Sequence, residues 1–180
     1  TLACQSVCNV LKHLDFCFFV KEVAKKIYLH WLELLKEKNI LPTDAATTCL
    51  FAWGNGDGDV RLFQLGDGAI YYQTECFGQV SLKSDDLFSN QTNALGYSKK
   101  WDDWAYKKIH LTNKKHGIVL LTDGISDDLL NEQLFTSMLI QKAALRSVRQ
   151  IKKYIKHELN HWSTPYHSDD KSIGIVFWKK

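Results

Sequence analysis

The hydrophobic pattern of this chain changes its period at Thr47, and this change limits the folds that the chain can adopt. Before about residue 40, apolar residues recur every three to four positions, the spacing of amphipathic helices. From Thr47 the apolar residues form short runs, TTCLFAW, DVRLFQL and AIYYQT, which are separated by NGDG and GDG. Because such turns supply residues that tolerate positive φ, the pattern predicts an antiparallel meander with tight hairpins.

The remaining elements follow from the same periodicities. The first forty residues predict two helices, or one broken near Asp15, ending before Asn39 and Pro42. YKKIHL and HGIVLL predict two strands, the second buried on both faces, and SIGIVFW predicts a last strand after a helix from Asp127 to Tyr154. Helices, then strands, then a helix and a strand indicate an α+β domain with an antiparallel sheet. Regular strand and helix alternation is absent from the pattern, which excludes a parallel doubly wound fold.

Composition and charge narrow the class of protein. With 180 residues, of which 45% are hydrophobic and 24% charged, we expect one globular domain over residues 1–180 and no disordered or repeat architecture. A net charge of +3 gives no argument for a nucleic-acid or membrane partner, and the apolar runs are too short to span a bilayer. The five cysteines include no CxxC pair, which indicates reduced thiols and a cytoplasmic location.

Several aspartates fall where a predicted strand meets a turn. Asp67 lies in GDG, Asp123 lies in TDG, and Asp169 and Asp170 precede the last strand. If these strand ends meet, like charges a few ångströms apart require a cation, and carboxylate oxygens suit Mg²⁺, Mn²⁺ or Ca²⁺ better than zinc. For any single Asp-Gly, the alternative is a turn residue that bonds its own backbone. Only the set of aspartates favours a metal site.

Five segments of the chain resemble the metal-dependent Ser/Thr protein phosphatases of type 2C, also called the PPM family. They occur in the order of the family between Ala45 and Trp178. The segments are AATTCLFAW, VRLFQLGDGAIYY, NALG, GIVLLTDGISDDL and SDDKSIGIVFW.

The resemblance implies a fold, a cofactor and a reaction. The fold is two packed antiparallel β-sheets flanked by helices, with two Mn²⁺ or Mg²⁺ ions at one end. By matching, Asp123 and Asp169 ligate the second metal, and Asp67 joins Asp123 at a third, weaker one. Asp170 stands where the family has Asn and is the alternative ligand if the register slips by one. A metal-activated water then hydrolyses phosphoserine or phosphothreonine in a phosphoprotein substrate.

The chain also departs from the family. The family's upstream acidic residue and its metal-bridging Asp-Gly have no match, and the chain begins at Thr1 with its only methionine at Met138. We therefore expect the last two thirds to three quarters of a domain truncated at its N-terminus, completed by a separate N-terminal segment or a partner. The turn Gly66–Ala69 lacks the usual Ser and Arg, which indicates a divergent bacterial member. A noncatalytic phosphatase-like regulatory or interaction module is the alternative function.

The segment HELNHWSTPYH supports a competing hypothesis, a zinc metalloprotease. His157 and His161 would share a helix face, Glu158 would be the general base, and His167 would be the third ligand. However, Thr164 stands where such proteases need Gly, and no Met follows His167. The context therefore favours a solvated helix end.

Three further features have ordinary structural explanations. The loop NGDGDV lacks the ligand pattern of a calcium-binding EF-hand, since Arg61 and Phe63 interrupt it. Trp101 and Trp104 either cover an edge of the site or pack in the core. Six basic residues predicted on one helix favour a solvated outer face over a nucleic-acid surface. They are Lys142, Arg146, Arg149, Lys152, Lys153 and Lys156.

Overall fold

A computed structural model describes residues 1–81, 93–98, 100–162 and 170–178. Five α-helices lie in these ranges: α1 Leu2–Lys12, α2 Val20–Glu37, α3 Asp123–Ser126, α4 Glu132–Ala144 and α5 Val148–Asn160; Trp101–Asp103 forms a short 3₁₀ helix. The same ranges contain seven strands: β1 Cys49–Gly54, β2 Asp59–Leu65, β3 Ala69–Gln73, β4 Phe77–Gln79, β5 Ala105–His110, β6 Gly117–Leu121 and β7 Ile173–Phe177.

The strands form two antiparallel sheets that pack face to face. The first sheet has the order β1-β2-β5, and the second sheet has the order β4-β3-β6-β7. Helices α1 and α2 cover the outer face of the first sheet, and α4 and α5 cover that of the second. The expectation of an α+β fold with two packed antiparallel sheets flanked by helices is confirmed.

The turn Gly66–Gly68 does not close a hairpin, and here the predicted meander is wrong. Strand β2 pairs with β1 and β5, whereas β3 pairs with β4 and β6, so the chain crosses from one sheet to the other at this turn. Strand β2 is the central strand of the first sheet, with β1 and β5 on its two edges, so no edge is left for β3. Val60 and Leu62 pack between the sheets, while Phe63 and Leu65 pack against the helices, so β2 is buried on both faces.

The predicted long helix from Asp127 to Tyr154 is two helices. Asn131 caps α4 by accepting a hydrogen bond from the backbone N–H of Leu134. Ser147 caps α5 through a reciprocal pair of hydrogen bonds with Gln150, which starts a new helix and ends the old one. The six basic residues are therefore divided between α4, the connecting turn and α5, and the prediction of one basic helix is wrong.

The core has three layers, and both tryptophans in question belong to it. Trp104 is buried in the layer between the first sheet and its helices, 6.1 Å from the ring of Phe51. Trp101 packs at the edge of the same layer, 6.3 Å from the ring of Phe63. Both side chains therefore pack in the core. Within the described ranges, no helix has the length and apolar character that crossing a bilayer requires.

Candidate metal centre

Asp67 lies at the tip of the turn that joins the two sheets. The flanking Gly66 and Gly68 have φ values of 84° and 93°, a backbone region that favours glycine. A Cβ atom at Gly68 would lie 2.6 Å from the carbonyl oxygen of Leu121 and 3.5 Å from the Cα of Thr122. The turn is therefore packed directly against the end of β6, and the Asp67 side chain is exposed there.

Asp123 begins α3 immediately after β6. Its carboxylate accepts a hydrogen bond from the backbone N–H of Gly124 at 2.8 Å, and the residue is exposed. In the register of the second sheet, Ala69 at the start of β3 pairs with Leu121 at the end of β6. Asp67 and Asp123 therefore emerge at the same end of the second sheet, which we call the carboxylate end.

The backbone of Asp170 is held at the carboxylate end by a hydrogen bond from Thr122. The Thr122 hydroxyl donates a hydrogen bond to the Asp170 carbonyl oxygen at 2.8 Å and accepts one from the Ser172 N–H at 2.9 Å. The Thr122 N–H also donates to the Ser172 carbonyl oxygen at 3.2 Å. The backbone before β7 is thus held against the residue that precedes Asp123. Asp169 lies outside the described residues.

The other two family-like segments meet at the same place. Thr47 and Leu95 form an isolated antiparallel bridge with N···O distances of 3.2 and 2.9 Å. A Cβ atom at Gly66 would collide with the carbonyl oxygen of Asn93 and with the side chain of Thr48. All five segments therefore converge on the carboxylate end, although they are far apart in sequence.

The donor chemistry at this end suits a hard divalent cation, but the described ligand set is incomplete. Asp67, Asp123 and Asp170 offer carboxylate oxygens, the ligands that Mn²⁺ and Mg²⁺ accept. In the part of the chain that the structure describes, no three His, Cys, Asp or Glu side chains lie close enough together to hold a metal ion. The described carboxylates fit the expected cofactor in type and location, and they do not make a full site by themselves.

At the end of α5 the rings of His157 and His161 lie 4.3 Å apart, so these two side chains share a helix face as the zinc hypothesis expects. The His161 Nδ1–H donates a hydrogen bond to the His157 carbonyl oxygen at 2.8 Å, and His161 is the residue that caps the helix. This is the arrangement of a solvated helix end. His167 and Thr164 lie outside the described residues.

Two contacts that organise this end were missed by the sequence analysis. Thr122 links β6 to the start of β7, and the only local signal for it is its place before Asp123 in TDG. The indole N–H of Trp162 donates to the Asp128 carboxylate at 3.0 Å and holds the end of α5 beside the loop after α3. No spacing rule predicts this second contact, because the residues belong to different elements.

Comparisons with known proteins identify the family. A sequence model of protein phosphatase 2C matches residues 1–162, which includes Asp67 and Asp123 and stops before Asp169, Asp170 and β7. This match covers most of the chain, and the chain therefore belongs to the protein phosphatase 2C family. No curated protein sequence matches it.

Solved structures show the same fold at low sequence identity. The serine/threonine phosphatase PstP/Ppp of Mycobacterium tuberculosis is 14% identical with a TM-score of 0.60, over 99% of this chain and 82% of that chain. The PstP catalytic domain in complex with two manganese ions is 16% identical with a TM-score of 0.61, over 97% and 79% of the two chains. PppA of Pseudomonas aeruginosa, described as a key regulatory component of the T6SS, is 9% identical with a TM-score of 0.59, over 96% and 77%.

Proposed function

We propose that this chain is the main part of a metal-dependent phosphoprotein phosphatase that hydrolyses phosphoserine or phosphothreonine. The observation that carries the proposal is the convergence of the Asp67, Asp123 and Asp170 segments at one end of the second sheet, in a chain of the protein phosphatase 2C family. The manganese ions in the PstP complex support Mn²⁺ or Mg²⁺ as the cofactor, with two ions or a weaker third. We also propose a bacterial, cytoplasmic setting; the bacterial source of the relatives supports the first part of this.

The residues have distinct proposed roles. Asp123 and Asp169 hold the second metal, Asp67 shares a third with Asp123, and Asp170 is the alternative ligand to Asp169. Bound divalent cations would supply an activated water at neutral pH and neutralise the phosphate oxygens. The chain's own contribution is to hold the carboxylates on rigid strand ends, since Thr122 fixes the backbone of Asp170 and Gly68 fixes that of Asp67.

The remaining ligands would come from outside the matched segments. The family's upstream acidic residue and bridging Asp-Gly have no counterpart among the five segments of this chain. We propose that a separate N-terminal segment completes the domain and supplies those carboxylates.

The test is hydrolysis of a small aryl phosphate by the chain together with its upstream segment. Turnover should require added Mn²⁺ or Mg²⁺, and the variants Asp123→Asn and Asp169→Asn should lower kcat/KM by more than about 100-fold, because each removes a direct metal ligand. Asp170→Asn should lower kcat/KM much less if Asp169 is the ligand. If the match to the family is shifted by one residue and Asp170 is the ligand, Asp170→Asn should have the large effect and Asp169→Asn the small one.

Asp57→Asn is the matched control. Asp57 is exposed in the turn between β1 and β2, at the other end of β2 from Asp67, so its loss should leave turnover unchanged. Turnover that is independent of metal, or equal in all of these variants, would refute the enzymatic proposal.

The departures from the family pattern support a second candidate, a noncatalytic phosphatase-like interaction module. The Gly66–Ala69 turn lacks the usual Ser and Arg, and Asp170 stands where the family has Asn. This hypothesis predicts that no turnover appears at any Mn²⁺ concentration, even when the upstream segment is present and the protein is folded. Isothermal titration of Mn²⁺ separates the two candidates, because the enzyme must bind the metal and lose that binding in Asp123→Asn.

A further inference from the structure

A groove runs between α5 and the beginning of β7. It has a volume of about 420 Å³ and opens to solvent. Its walls combine amine and apolar side chains from the two elements. The described residues that line it are Lys152, Ile155, Lys156, Leu159, Asn160, Lys171 and Ile173.

The lining of this basic groove has one sign of charge. Lys152 and Lys156 are one helical turn apart on α5, and both are exposed. Lys171 adds a third amine from the strand side, and none of the described lining residues is acidic. The half-buried side chains of Ile155 and Leu159 form an apolar floor beneath the amines. Amines above an apolar floor complement a peptide that carries both carboxylates and aliphatic side chains.

The basic groove lies next to the carboxylate end. Ile173, which lines the groove, pairs with Leu121, two residues before Asp123. Lys171 stands between Asp170 and Ser172, the two residues that hydrogen-bond Thr122. An extended peptide advances about 3.3 Å per residue. One peptide can therefore occupy the groove and, a few residues away, place a phosphorylated residue at the carboxylate end.

We propose that the basic groove binds an acidic segment of the phosphoprotein substrate that flanks the phosphorylated residue. This rests on the proposed phosphatase function and adds a substrate class to it: phosphoserine or phosphothreonine near a cluster of Asp and Glu. The lysines bind the flanking carboxylates, and the apolar floor accepts an aliphatic side chain between them. The groove selects the substrate without taking part in the chemistry.

The distribution of the other basic residues favours an acidic peptide over a nucleic acid. Lys142 directs its amine to the Tyr154 hydroxyl at 2.7 Å, and the Arg146 guanidinium lies 5.7 Å from the same ring. These two cations are engaged with Tyr154, which does not line the groove. The charge that faces the groove is thus a short lysine cluster over an apolar floor. A nucleic-acid surface needs a longer row of phosphate contacts.

The test is direct binding, which does not depend on turnover. A fluorescent, unphosphorylated peptide of alternating Glu and Leu is titrated with the wild type, with Lys152→Gln/Lys156→Gln and with the control Lys114→Gln/Lys115→Gln. The control removes two exposed lysines from the turn between β5 and β6, so it changes the net charge of the protein by the same amount as the groove variant does. We expect Kd to rise about tenfold in the groove variant only, and to rise with NaCl in the wild type.

The outcomes are distinct from those of the phosphatase test. Equal binding of the acidic peptide by both variants, or equal binding of a peptide with Lys in place of Glu, would refute the groove proposal. If single-stranded DNA bound more tightly than the acidic peptide, and this binding required Lys152 and Lys156, the ligand of the groove would be a nucleic acid. That result would also refute the groove proposal. Aryl phosphate hydrolysis is measured in the same three proteins. If it is absent from all of them while the binding pattern holds, the phosphatase proposal fails, and the groove remains a binding site for acidic peptides that are not substrates.

Discussion

The hydroxyl group of Thr122 donates a hydrogen bond of 2.8 Å to the backbone carbonyl oxygen of Asp170, although the two residues are 48 positions apart. The same hydroxyl oxygen accepts the backbone N–H of Ser172 at 2.9 Å. A single side chain thus joins the end of β6 to the beginning of β7, beside Asp123. This junction, together with the pairing of β6 and β7, holds the Asp170 backbone beside Asp123.

Thr122→Val should remove both hydrogen bonds of the Thr122 hydroxyl group while keeping the shape of the side chain. Because one donor and one acceptor are lost, we expect the free energy of unfolding to fall by about 1 kcal/mol. We also expect weaker Mn²⁺ binding by the completed domain. Urea unfolding and isothermal titration measure the two effects. Thr122→Ser keeps the hydroxyl group and should restore both, so equal behaviour of the Val and Ser variants would contradict this role.

Gly68→Ala should destabilise the turn between the sheets. Its φ of 93° strains any residue with a Cβ, and the added atom would lie 2.6 Å from the Leu121 carbonyl oxygen. We expect a loss of about 3 kcal/mol in urea unfolding. Gly56→Ala is the control, because a Cβ there meets no atom within 4 Å and its effect should stay within about 0.5 kcal/mol. Similar losses in both variants would show that the close packing of Gly68 is unimportant.

Cys49 should be protected from thiol reagents in the folded protein. Burial raises the pKa of its thiol to about 12, so at pH 8 only about one molecule in ten thousand carries the reactive thiolate. Cys4, Cys8, Cys17 and Cys76 are exposed. A colorimetric disulfide reagent should therefore titrate four thiols quickly and the fifth only in denaturant. Cys49→Ala should keep the four fast thiols and lose the slow one; a missing fast thiol would contradict the assignment.

Asp59 should make stability depend on pH. Hydrogen bonds from Lys108 and then His110 lower the pKa of its carboxyl group, with N···O distances of 3.0 and 2.9 Å. A lowered folded-state pKa stabilises the fold above the usual Asp pKa and loses this contribution as pH falls through the folded value. Asp59→Asn should therefore lower the urea midpoint at pH 7, and the difference from wild type should shrink below about pH 4.

The exposed Asp57, in the turn two residues before Asp59, provides the comparison for that measurement. Asp57→Asn should give a much smaller difference from wild type at pH 7. Added NaCl should reduce the Asp59 effect, because the ion pair lies at the surface. A difference for Asp59→Asn that is constant from pH 7 to pH 3 would show that the carboxylate charge does not contribute.

Much of the fold could be predicted from periodicity, because most elements bury one face. The stripe that includes Val23, Ile27 and Trp31 is buried against the first sheet, and α1 and α2 lie where this spacing places them. Periodicity does not say which strands pair. The Gly66–Gly68 turn has the glycines and positive φ of a hairpin, yet it connects two sheets, because both edges of β2 are already paired, with β1 and with β5.

The break between α4 and α5 could have been predicted from a local signal. Ile140, Ala144, Ile151 and Ile155 keep a nearly helical spacing across it, which favours one long helix. The pattern Ser147-x-x-Gln150 is a capping box and marks a helix start inside that stretch. Capping takes precedence here because the reciprocal bonds satisfy backbone groups that a continuous helix would bond internally.

The candidate site was predicted in outline because strand ends and turns locate Asp67, Asp123 and Asp170. The sequence could not predict how the backbones are held together. Thr122 acts through hydrogen bonds to the distant Asp170 and Ser172, and such pairs follow from sheet register, which spacing alone does not determine. The ligand roles of these aspartates and of Asp169 remain predictions for the metal-binding experiments.

The pairing of β7 with β6 has a consequence for how the protein is made. During synthesis, β6 and Asp123 leave the ribosome about fifty residues before β7, so the second sheet stays open along β6 for several seconds. Closing this long loop is a late event, and the Asp170 segment can join Asp67 and Asp123 only then. In a nascent chain, the segments of Asp67, Asp123 and Asp170 would therefore all come together only after most of the core has formed.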